Sequence, residues 1–194
     1  MKALLPGLYI GLSLALLAPA AAHASAPRHV TDPAAPRALA TDGPVTVSWT
    51  DPARFTEITH SGNRWEAARG NWVNELASHL ADTAAARLPQ DQRLEVTITD
   101  IDLAGDYEPW RGPRAASIRL LRDIYPPQIR LHYVLRGGDG GVLAEQDEVL
   151  GNLGYLQGLS TPSPRNRNLH HEKRLIERWV AGLLPGDGRT TASR

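Results

Sequence analysis

Apolar and polar residues alternate along three stretches of the chain and recur at helical spacing along two others. Val45, Val47 and Trp49 alternate with Thr46 and Ser48, and the turn residues Asp51 and Pro52 close the run, which predicts a half-buried strand. From Asn71, which is placed to cap a helix, Trp72, Val73, Leu76, Leu80, Ala84 and Leu88 fall on one face until Pro89 stops the pattern. Leu94, Val96 and Ile98 then face away from Glu95, Thr97 and Thr99. At Asp100 the alternation slips, because Ile101 and Leu103 become the apolar positions. A one-residue slip turns every later side chain to the other face unless an extra residue absorbs it, so a bulge is expected near 99–101. A strand, a helix and a strand in this order predict that the strands at 45 and 94 run parallel.

Residues 118–124 are apolar enough to pack, and Pro126-Pro127 keeps them from continuing as a helix. Ile129, Leu131, Tyr133 and Leu135 alternate again, the glycine-rich turn 137–141 follows, and 142–150 returns, which predicts a β-hairpin. The last pattern is a helix over 169–184 with Leu175, Ile176, Trp179, Val180 and Leu183 on one stripe. Together these elements predict an α+β fold: a mixed four-stranded sheet with two helices packed on one face, a two-layer sandwich.

Outside this span the chain reads differently. Met1, Lys2, the apolar run to Ala18 and the site Ala22-His23-Ala24 have the form of a secretory signal over 1–24, with cleavage after Ala24 and export to the periplasm or beyond. The apolar core is shorter and more interrupted than the ~20 residues a membrane span needs, so no span is expected in the mature chain. Residues 25–43 are rich in Ala, Pro, Thr and Asp without periodicity and read as a flexible linker; 44–184 is a single domain and 185–194 a disordered tail. The chain has no cysteine, so an exported domain must rest on its core alone. Charge is balanced: losing Lys2 leaves the 21 basic residues one short of the 21 acidic ones. That excludes the overall basic footprint expected of a nucleic-acid binder.

Motifs for chemistry are sparse. Asp100, Asp102, Gly105 and Glu108 overlie positions of a calcium loop, but Ala104 and Arg111 stand where two ligands are required. His170-His171-Glu172 lacks the second His of a zinc-protease helix, and the turn 137–141 lacks the Lys-Ser/Thr of a phosphate loop. Ser160 lacks the second glycine of a nucleophile elbow. No cofactor or metal is therefore expected, and enzymatic activity has no motif behind it.

The strongest candidate is the acidic and aromatic loop Asp106, Tyr107, Glu108, Trp110 and Arg111, a plausible contact patch for a protein partner of the cell envelope. Trp110 has a competing role as a plug for the end of the sheet. The alternative is a small hydrolase or metal-dependent enzyme built on Asp100, Asp102 and His132, which requires those three side chains to meet in one cleft.

The runs V-T-V-S-W-T at 45–50, L-E-V-T-I-T-D-I-D-L-A-G-D-Y-E-P-W-R-G-P from 94, D-I-Y-P-P-Q-I-R-L from 123 and E-K-R-L-I-E-R-W from 172 resemble the bacterial exported family catalogued as domain of unknown function 3016. The resemblance covers about 44–184. It implies an exported domain and brings no functional residues with it.

Overall fold

The computed structural model describes residues 29–40, 43–157 and 169–185. The expected signal segment and its cleavage site, Ser160 and all but the first residue of the tail lie outside the described residues.

Six strands and four helices follow one another as β1 (Val45–Trp49), α1 (Thr56–Thr59), α2 (Arg64–Ala67), α3 (Trp72–Ala85), β2 (Arg93–Asp102), β3 (Asp106–Tyr107), β4 (Arg119–Leu120), β5 (Gln128–Arg136), β6 (Val142–Gly151) and α4 (His170–Leu183). The main sheet has the order β1-β2-β5-β6. β1 lies parallel to β2, from Val45 beside Leu94 to Trp49 beside Ile98. The β2–β5 and β5–β6 pairs are antiparallel. This is the expected mixed four-stranded sheet in an α+β domain.

The slip in β2 is absorbed as expected. Its register with β5 shifts between Ile98 and Asp100, so one extra residue returns Ile101 to the core side, where it is fully buried. Asp100 and Asp102 are thereby left off the core side, next to Arg130 and Gln128 of β5. Helices α3 and α4 pack on each other and on the sheet, with Leu76, Leu80, Ile176 and Val180 fully buried between the layers. Trp179 meets Tyr133 of β5 edge-on at 5.5 Å, and the Trp72 indole donates to the Ala67 carbonyl at 2.9 Å. The opposite face of the sheet is polar. It carries Arg136 on Glu95 (3.0 Å), Arg130 near Asp100 (3.7 Å) and His132 on Asp147 (3.0 Å).

Three expectations need correction. Residues 29–40, within the stretch read as a flexible linker, are tied down: the Leu39 N–H bonds the Val47 carbonyl and the Trp49 N–H bonds the Arg37 carbonyl, each at 2.9 Å, which covers the free edge of β1. Asn71 makes no side-chain cap to α3, although its carbonyl accepts the Glu75 N–H. Residues 118–124 do not enter the core: Ile118, Leu121 and Ile124 are exposed and Leu120 is half-buried. Only β4 forms within that stretch, and it pairs with β3 rather than with the main sheet.

Candidate functional site

The connection from β2 to β5 leaves the sheet at Leu103 and returns at Gln128. Its first turn is held from two sides by carboxylates that come from helices. Glu57 of α1 accepts the Leu103 N–H at 3.0 Å, and Glu172 of α4 accepts the Ala104 N–H at 2.6 Å. Both are buried. The next residue, Gly105, has φ 79, and a Cβ there would stand 2.6 Å from the Leu120 carbonyl oxygen, so only glycine fits.

Arg119 closes this root. Its guanidinium pairs with Glu57, donates to the Gly105 carbonyl at 2.6 Å and lies 4.7 Å from the centre of the Tyr107 ring. Burial pushes the Glu57 carboxyl up to about 7, against the opposing pull of Arg119. Burial, with Asp100 alongside, lifts Asp102 to about 6. Glu172 is also raised by burial.

Beyond the root, β3 and β4 pair from Asp106 beside Leu120 to Tyr107 beside Arg119, which makes 108–118 the loop of a short hairpin. Asp106 ties one flank to the segment before α2, taking the Ser61 hydroxyl at 2.9 Å and the Gly62 N–H at 3.2 Å. Gly62 packs so closely on the Tyr107 carbonyl that a Cβ could not enter. The Asn63 amide reaches the Ala116 carbonyl at 2.7 Å.

Glu108 governs the tip. Its carboxylate is buried and accepts from Arg111, from Arg122 Nη1 at 2.6 Å and from the Tyr125 hydroxyl at 3.1 Å. The Arg122 hydrogen bond, with help from Arg111 and Tyr125, holds the Glu108 carboxyl below its usual range. The Tyr155 hydroxyl donates to the Arg122 carbonyl at 2.9 Å, so the segment after β6 braces the same clamp.

The five candidate loop residues therefore separate into two sets. Asp106, Tyr107 and Glu108 are spent on building the hairpin. Trp110 faces outward, with 68% of its surface exposed on the one-turn helix Pro109–Arg111, and Arg111 is exposed on the same turn while its Nε–H is held by the buried Glu108. Trp110 does not plug the end of the sheet.

Of the three residues of the enzymatic alternative, Asp100 and Asp102 are neighbours and His132 pairs elsewhere. Asp100 takes the Thr56 N–H and hydroxyl at 2.6 and 2.7 Å, while His132 sits over β6 with Asp147. Among the described residues no three His, Asp or Glu side chains are placed to hold a metal ion.

Two clefts flank the root. The larger, about 560 Å³, lies between the starts of α3 and α4 and is walled by Trp72, Leu103, Tyr107, Leu169 and Glu172, with Arg119 among its lining residues. The smaller, about 290 Å³, gathers Glu57, His60, Asp102, Asp106 and Tyr125.

The sequence reading missed Glu57, Glu172 and Arg119. Glu172 was detectable: it stands three and four residues before Leu175 and Ile176, on the apolar stripe of α4. A carboxylate on such a stripe must find a buried donor. Glu57 and Arg119 lie in segments without periodicity, and their pairing across 62 residues leaves no local signal.

The fold and the site together define a two-layer α+β domain whose most elaborate feature is a charge-clamped hairpin at one end of the sheet. Residues 43–182 match the family described as "Protein of unknown function (DUF3016)", and the chain belongs to that family. No curated protein and no solved structure matches the chain.

Proposed function

We propose that the chain is an exported, periplasmic binding module of the cell envelope, without a catalytic site of its own, and that Trp110 and Arg111 form its contact surface. The observation that carries this reading is the exposure of Trp110 on a turn that a buried carboxylate immobilises. Free exposure of a large aromatic forgoes roughly 2 kcal/mol of burial. The same loop devotes Glu108, two arginines and a tyrosine to fixing its shape. Such an arrangement presents a rigid aromatic anchor, which lowers the ordering cost of binding. The clustered carboxylates near the root support the reading as well, since the hydrogen bonds of Glu57, Asp100 and Asp106 serve the hairpin and its neighbours.

The test is capture from envelope extract with the wild-type chain and with the Trp110→Ala and Arg111→Ala variants. The reading expects one envelope component retained by the wild type and lost by Trp110→Ala while the unfolding midpoint stays unchanged. Equal retention by wild type and variant would remove Trp110 from the contact.

A further inference from the structure

We infer that the end of the molecule carrying Trp110 docks on a bilayer leaflet that contains anionic phospholipid. This rests on the proposed contact role of the tip and names what it meets.

The sheet brings three otherwise separate segments to that end. β1 runs parallel to β2, so the segment after Trp49 leaves from the same end as the β2 exit, and the register of Asp102 with Gln128 and of Gln128 with Gly151 places the exit from β6 there too. Large exposed apolar residues concentrate on these segments. Trp65, Trp110, Ile118, Leu121, Ile124 and Leu153 all belong to them, and the others among the described residues, Val142, Leu143 and Val149, belong to β6. Trp65 is 67% exposed, nearly the same as Trp110.

Charge is sorted in the same way although the chain as a whole is neutral. Arg54, Arg64 and Arg114 are exposed on these segments with no ion pair to a described residue, and Arg69, Arg111 and Arg122 are exposed there but paired with Glu66 or Glu108, whereas Asp123 is the one exposed acid between 52 and 127 that lies outside α3 and the 90–102 stretch leading through β2. Glu66 is half-buried and already paired with Arg69 at 2.9 Å, and Glu108 is inside the clamp. Exposed acids stand instead on β6, at Glu145 and Asp147, with Glu148 half-buried beside them.

Two outward tryptophans, branched aliphatics and arginines on a set of loops make the combination that partitions to a membrane interface: the rings sit at headgroup depth and the guanidiniums meet lipid phosphate. Leu121 and Ile124 border the two clefts beside the root, but Trp65, Trp110, Ile118 and Leu153 lie outside them on projecting loops, which suits a planar, deformable surface better than the pocketed surface a protein anchor fills. Attachment is peripheral, since no helix among the described residues is long and apolar enough to cross a membrane.

Vesicle co-sedimentation tests the inference, using the full chain and variants in the same background so that any contribution of residues 1–24 is common to all. The vesicles are phosphatidylcholine alone, or phosphatidylcholine and phosphatidylglycerol in equal parts. The expected result is stronger partition onto the anionic vesicles, weakened about fivefold by Arg114→Ala and about tenfold or more by Trp65→Ala with Trp110→Ala. Brominated lipid should quench wild-type tryptophan fluorescence and quench that double variant far less. Equal partition onto both vesicle types, or a double variant that binds like the wild type, overturns the inference. If vesicles fail while Trp110→Ala still loses a protein captured from envelope extract, the lipid inference falls and the contact role of the tip stands; failure in both removes both.

Discussion

Replacing Glu57 by glutamine should flatten the pH dependence of stability. Glu57 is buried at the root of the hairpin, and desolvation carries its carboxyl from 4.5 to about 7. Between those values the folded chain holds a proton that the unfolded chain has released. Stability contributed by that proton is therefore complete below about pH 4.5 and is lost as pH rises through 7. The difference amounts to roughly 3 kcal/mol for this one group.

Asp102, raised to about 6, acts in the same sense but is partly open to solvent, which reduces its share. His171, held below its ordinary value by burial, acts in the opposite sense. Both contributions are common to wild type and variant. Glutamine at 57 keeps one acceptor for the Leu103 N–H and does not titrate. Urea unfolding at intervals from about pH 5 to pH 8 should therefore show the wild type losing stability with rising pH, and Glu57→Gln losing about 3 kcal/mol less over that range. Parallel profiles for the two proteins, or a variant that loses more stability than the wild type between pH 5 and pH 8, would refute the reasoning.

Gly105→Ala should cost about 2–4 kcal/mol, because it adds a left-handed backbone penalty to a clash with the Leu120 carbonyl; chemical unfolding measures it. Glu108→Gln should loosen the tip selectively, since Arg111, Arg122 and Tyr125 lose a shared charged acceptor, and hydrogen exchange should rise over 108–125 while α3 and the main sheet keep their protection. Because the Glu108 carboxyl is held below its usual value of 4.5, wild-type stability from this clamp is present above about pH 4.5 and lost on acidification through the lower folded value. Trp110→Ala should leave the unfolding free energy within about 0.5 kcal/mol of wild type, as its ring is largely in water; a larger loss would make it a structural residue.

The sheet and its two long helices were legible because each is periodic over several residues. Val45 to Trp49, Leu94 to Ile98 and Ile129 to Leu135 alternate, and the slip at Asp100 signalled the bulge found between Ile98 and Asp100. The hairpin 106–120 was not legible. Its two strands are two residues each, and what holds it comes from α1, α4 and the segment before α2. The apolar run 118–124 looked fit for the core because composition does not show which side chains find a partner. Arg119 and Arg122 take inward hydrogen bonds, and Ile118, Leu121 and Ile124 are left outside. Likewise, balanced total charge hid the sorting of exposed arginines from exposed carboxylates, which arises only when the sheet gathers three distant segments at one end.

Photo-crosslinking in intact cells, with the reactive group placed at position 110 and, as a control, at position 95 on the open face of the sheet, tests the contact role of the tip most directly. The account predicts adducts with an envelope component from position 110 and few or none from position 95. Equal yields from the two positions, or adducts from position 95 alone, would contradict it.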